Sequence, residues 1–181
     1  MKIRRVVAGT GADGKAKVIM DGVAPRRAEF TSVPDHAAAL LWSTVADEVL
    51  SRGGNGVDRT EAVTFVPKVG ESRLMIATFP PDSVMMRADV DAAAFGAEFA
   101  RLLPGLAEAF EPDHPGMHTT DSIDYDIVLE GEITLELDDG KEVLLRRHDV
   151  VVQHGNRHAW RNRSDRPAIM LFVLLGARRT S

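Results

Sequence analysis

A chain of 181 residues, 44% of them hydrophobic, is long enough for one domain with a sizeable core. Its 22 Lys and Arg against 27 Asp and Glu leave a formal charge of −5, which offers no basic field to nucleic acid or to an anionic membrane surface. There is no cysteine, so disulfides, thiolate ligands and a cysteine nucleophile are excluded, and any metal must be held by nitrogen and oxygen. No apolar run is long enough to span a bilayer, and Met1-Lys2-Ile3-Arg4-Arg5 leads into no continuous secretory stretch, so a cytoplasmic location is expected.

In chain order, short strands are expected over residues 3–7 and 17–20, separated by Gly9-Thr10-Gly11-Ala12-Asp13-Gly14, whose glycines and Asp favour a turn. Residues 40–49 read two ways. Leu41-Trp42-Ser43-Thr44-Val45 suits a strand, while Ala37 to Val49 also tolerates a helix. Ser51-Arg52-Gly53-Gly54-Asn55-Gly56 reads as an exposed loop; it lacks the spacing and the Lys-Ser/Thr of a phosphate loop, so no nucleotide role follows. Arg73 to Phe79 is a strand stopped by Pro80-Pro81, because proline lacks the ladder donor and restricts the residue before it. From Asp91 to Phe110, Phe95, Phe99, Leu102, Leu106 and Phe110 recur at intervals of three and four. That spacing predicts one amphipathic helix, bent near Pro104-Gly105, with its stripe packed on the rest of the domain or on a dimer mate.

Beyond His118 the period becomes that of a sheet. Strands are expected over 123–129, 133–137, 141–145, 150–153, 158–162 and 168–174, and many short strands with turns between them indicate an antiparallel sandwich or barrel. Asp138-Asp139-Gly140 carries a hairpin signal, since Asp-Gly supplies positive backbone angles. On the strand from residue 123, Asp124, Asp126 and Val128 share one face and Tyr125, Ile127 and Leu129 the other. Two acids on an apolar strand need solvent or a partner. His118 and His158 are candidates for that partner, and two imidazoles with a carboxylate suit Fe, Mn, Ni or Zn with water in open positions. Trp160 and Asn162 would follow His158 on its face, as an apolar wall and an amide near a pocket. Asp124 could equally pair with an arginine, and Trp160 could simply fill core.

The segment His118-Thr119-Thr120-Asp121-Ser122-Ile123-Asp124-Tyr125-Asp126-Ile127-Val128-Leu129-Glu130-Gly131 resembles the first motif of the cupin superfamily, and residues 148–162, from His148-Asp149 to Arg161-Asn162, resemble the second. The resemblance covers roughly residues 72–176 and is closest to small bacterial single-domain cupins. It implies an all-β fold, the double-stranded β-helix or jelly-roll barrel. Residues 1–71 would form an N-terminal extension of short strands and loops, 72–176 the barrel with a helical insertion near 91–110, and 177–181 a tail. It also implies a divalent metal held by His118, Asp124 and His158. The family's second histidine is replaced here by Thr120 and its glutamate by Asp124; His148 stands where glycine is usual, and Gln153 where proline is usual.

The function so implied is a metal-dependent enzyme acting on a small organic metabolite, a dehydratase, isomerase or other lyase, with Asp126 or His154 assisting proton transfer and Thr120, Gln153, Trp160 and Asn162 contacting substrate. The alternatives are an iron-dependent dioxygenase and a non-catalytic cupin that binds a small organic ligand. A homodimer is expected, with no nucleic-acid or membrane partner.

Overall fold

The computed structural model describes residues 1–50, 53 and 56–180. Most of the glycine-rich loop expected at 51–56 therefore lies outside the described residues. In chain order the strands are β1 (Arg4–Thr10), β2 (Ala16–Val23), β3 (Arg26–Glu29), β4 (Ala37–Thr44), β5 (Ser72–Phe79), β6 (Ser122–Glu130), β7 (Glu132–Glu136), β8 (Glu142–Arg146), β9 (Val150–His154), β10 (Ala159–Arg161) and β11 (Ala168–Gly176), with helices α1 (Asp82–Met85) and α2 (Ala92–Leu102) between β5 and β6. A six-stranded sheet runs β3-β4-β5-β11-β6-β9, a three-stranded sheet β10-β7-β8, and β1 and β2 pair as a separate hairpin. The described pairings are antiparallel. This is the all-β cupin barrel, two sheets closed on one core.

The core lies between the sheets. Leu40, Met75, Val128, Met170 and Phe172 come from the large sheet, Ile133, Leu135 and Leu145 from the small one, and α2 adds Phe95, Phe99 and Leu102. The ambiguous stretch is the strand β4, with Ala37 to Leu41 all buried. It is apolar on both faces because one face meets the barrel core while the other packs under Ala24, Met1 and Ile3. A strand covered on both faces loses its alternation and reads as a continuous apolar run. The sheet also extends past the boundary expected at 71/72, since β3 and β4 are strands of the same sheet as β5.

The helix is shorter than the periodicity suggests. Asp91 caps α2 by accepting from the Ala93 and Ala94 amides, and the helix stops before Pro104, leaving only one 3-10 turn at Ala107–Ala109. The β7–β8 hairpin turns as expected, with φ of 58° at Asp139 and 69° at Gly140. Gly176 is required by close approach: an added Cβ would lie 1.9 Å from the Lys68 carbonyl oxygen, where the 67–71 loop crosses β11.

Candidate functional site

Strand alternation builds one wall. The inward residues of β6 are Ser122, Asp124, Asp126 and Val128, as the pleat requires. Across the neighbouring strands, Asp124 pairs in register with Leu174 of β11 and Gln153 of β9, and Asp126 with Phe172 and Val151. Asp124, Asp126 and Gln153 are at most 5% exposed, and Asp124 Oδ1, Asp126 Oδ1 and Gln153 Nε2 are buried without hydrogen-bond partners. Three orphaned polar atoms side by side in a core are costly unless a polar partner meets them. Burial pushes the Asp124 carboxyl up to about 6 against the pull of the Ser122 and Thr120 hydroxyls. Burial, followed by the charge of Asp124, pushes Asp126 up to about 8, so it holds its proton at neutral pH.

Two imidazoles stand on the side of the small sheet. His118 and His158 face each other in an antiparallel bridge, exchanging backbone hydrogen bonds of 2.9 and 3.0 Å, which brings their rings to 4.2 Å between centroids. His118 Nδ1 lies 3.1 Å from the Gly116 carbonyl oxygen and His158 Nδ1 3.0 Å from that of Asn156. A carbonyl only accepts, so Nδ1 of each ring carries the proton and Nε2 keeps its lone pair. Burial lowers His118 to about 4, helped by His158, and lowers His158 as well. Both rings are therefore neutral at pH 7. Phe110 stacks on His118 at 4.5 Å, while Trp160 meets His158 edge-on at 5.7 Å and Phe172 at 6.0 Å, linking the imidazoles to the wall that carries Asp126.

The other expected residues divide. Thr120 is buried, and its hydroxyl accepts from Ser122 Oγ at 2.9 Å. Gln153 is buried, and Trp160 is partly buried against the core. His154 does not: it is exposed on β9, since a period of two sends the neighbour of inward Gln153 outward, and this removes it from any proton relay inside the barrel. Asn162 is also corrected. Its amide donates to the Phe79 and Arg166 carbonyls at 2.8 Å and accepts from Ser164, so it braces the turn before β11 and has nothing left for a substrate. Two residues were missed. Ser122 shares the face of Asp124 and was legible by alternation; Asn156 carries no sequence signal beyond sitting in a turn. A groove of about 490 Å³ lies outside Thr120, bounded by Val66 to Val69, Glu108, Asp121 and Ala177.

A metal of the kind the resemblance implies needs at least three of these donors around one point. Among the described residues no three His, Asp or Glu side chains are grouped to hold an ion. The imidazoles belong to one wall and the carboxyls to the other, and the family's second histidine is Thr120. The donor types suit a divalent metal; their arrangement does not fit one.

A family model described as Cupin domain matches residues 107–174. The cupin-domain-containing oxidoreductase srdB of Neurospora crassa is 30% identical over 173 residues, covering 94% of this chain and 72% of that protein. The chain belongs to the cupin-domain proteins. Phomopsin biosynthesis cluster protein C' of Diaporthe leptostromiformis is 54% identical over 63 residues, 34% of this chain and 33% of that protein, and oryzines biosynthesis cluster protein J of Aspergillus oryzae is 40% identical over 83 residues, 42% of this chain and 46% of that protein. The chain thus matches only a third to a half of the length of these two relatives. They are fungal, where the resemblance pointed to bacterial cupins.

Proposed function

We propose that this cupin is an enzyme that moves protons on a small organic molecule inside the barrel, in a dehydration, isomerisation or other lyase-type reaction. The observation that carries this reading is the set of orphaned atoms of Asp124, Asp126 and Gln153 on one wall, with two neutral imidazoles on the other. An enzyme of this class needs a proton donor and a proton acceptor that do not neutralise each other first. Asp126, protonated at neutral pH, donates to a substrate oxygen; His118 or His158 accepts a proton from carbon at its free Nε2. The reaction leaves a carboxylate and an imidazolium, whose charges favour the returning proton transfer. Names that place relatives in biosynthesis clusters agree with a small-molecule substrate.

The test needs no substrate. Infrared difference titration is expected to show one buried carboxyl that keeps its proton past neutral pH and is absent from Asp126→Asn; full ionisation of the wild type by pH 6 would sink the proposal. With a substrate in hand, Asp126→Asn is expected to lower kcat by about 10²- to 10⁴-fold. Because the folded carboxyl is raised, the active protonated form is present at low pH and is lost as pH rises through about 8.

Redox chemistry is the second reading. Three relatives are named oxidoreductases, and the two unprotonated Nε2 atoms are of the kind that Fe, Mn, Ni or Zn binds, although a third donor would have to be brought to them. Near-stoichiometric metal in the purified protein, lost in His158→Ala, would favour it over the metal-free reading.

A further inference from the structure

The orientation of the Gln153 amide is set by a chain of hydrogen bonds that begins at a group unable to turn around. The backbone N–H of His154 donates to Asn156 Oδ1 at 3.0 Å, which fixes which end of the Asn156 amide is oxygen. Its other end, Nδ2, donates to Gln153 Oε1 at 2.8 Å. Gln153 must then present Nε2, with its two N–H donors, to the interior, and no partner meets it there. Beside it, Asp124 Oδ1 is an acceptor without a donor, in register on the adjacent strand. Residues paired in this way have Cβ atoms about 5 Å apart. Yet the donor and the acceptor do not bond to each other. A single oxygen that accepts from Nε2 and donates to Oδ1 would satisfy both, and a hydroxyl is the group with both capacities.

We propose that Gln153 Nε2 and Asp124 Oδ1 form a subsite for a hydroxyl oxygen, held by water at rest and by a hydroxyl of the substrate during turnover, with Asn156 as the positioning residue. The substrate class is thereby narrowed to hydroxylated or hydrated compounds. This assignment rests on the proton-transfer reading of the barrel interior, but it has its own readout. Asn156 also accepts from His158 Nδ1 through its carbonyl oxygen, so one turn residue orients a group on each wall. That backbone contact survives substitution of the side chain.

The experiment is a crystal structure at atomic resolution, with water and then methanol as the hydroxyl probes. In the wild type, one ordered oxygen is expected within about 3.2 Å of both Gln153 Nε2 and Asp124 Oδ1. Asn156→Asp keeps the acceptor for His154 but cannot donate to Gln153. The Gln153 amide should then turn and present Oε1 beside Asp124 Oδ1, leaving two acceptors that methanol, with its single O–H, cannot bridge, so the bound methanol is expected to be lost. Should that variant not fold, Gln153→Met removes the donor at similar volume and is expected to lose the oxygen as well. A direct bond from Nε2 to Asp124 in the wild type, or methanol that survives in the variants, overturns the subsite. The protonation of Asp126 read by infrared is independent of this outcome, so either proposal can fail alone.

Discussion

His148 lies in the left-handed region at φ 77°, at the turn into Asp149 where cupins usually carry glycine. A β-carbon there costs about 1–2 kcal/mol, and glycine's greater freedom in the unfolded chain takes back about 0.5–1 kcal/mol of any relief. His148 is exposed, and its backbone N–H donates to the Val128 carbonyl, a bond that any residue keeps. His148→Gly is therefore expected to stabilise the fold by about 0.5–1 kcal/mol. A rise in the urea midpoint at constant slope checks this; a fall would mean that the imidazole makes a contact of its own. At this scale alternation made much of the site legible. It separated Asp124 and Asp126 from Tyr125 and Ile127, and the motif spacing singled out His118 and His158. Alternation could equally have excluded His154, the outward neighbour of Gln153. Asn162 was illegible for another reason: an amide is read as a candidate contact until its partners are known, and here the local Ser164 and Arg166 are joined by Phe79, 83 residues away.

At the scale of elements, α2 packs its aromatic face on the core and is also tied down by one carboxylate. Glu98 accepts from the backbone N–H and the hydroxyl of both Thr31 and Ser32 at 2.6–3.1 Å. Those bonds, the Ser32 hydroxyl first, hold its carboxyl down at about 2. Its contribution is present above the ordinary carboxylate range and is lost as pH falls towards 2. Glu98→Ala is expected to cost about 2 kcal/mol and to speed hydrogen exchange of the α2 amides more than those of β6. Uniform acceleration across both would show that α2 does not open separately. The helix itself was legible because Phe95, Phe99 and Leu102 repeat on one face. Its anchor was not, since Thr31 and Ser32 lie 67 and 66 residues from Glu98. β3 was missed because Arg26-Arg27-Ala28-Glu29 has no apolar alternation. It is a strand through its pairing with β4 and through Arg26, whose guanidinium donates to the Thr60 and Val63 carbonyls and lies over Phe65.

For the whole molecule, the outer face of the large sheet is covered unevenly. Met1 and Ile3 pack over Leu41 and Ile76 on the β4–β5 side. On the β6–β9 side, Tyr125 faces Val152 and Ile127 faces Val150 in register, and Val150 and Val152 remain 61% and 58% exposed. We propose this contiguous apolar patch as the interface of a homodimer. Replacing Val150 and Val152 together by Lys is expected to shift sedimentation from dimer to monomer; unchanged sedimentation of a dimer would put the interface elsewhere. In the N-terminal part of the sheet β4 was hard to read, because a strand buried on both faces loses the period that identifies it.

The contact between Trp160 and His158 gives the protein an optical reporter. The chain has two tryptophans, and Trp42 sits outside the site with Arg5 over its ring. In a Trp42→Phe background all indole emission would arise beside the imidazole pair. Charging of His158, or entry of any molecule between the walls, would then register as a change in brightness or colour, and candidate compounds could be screened by light before any product is known.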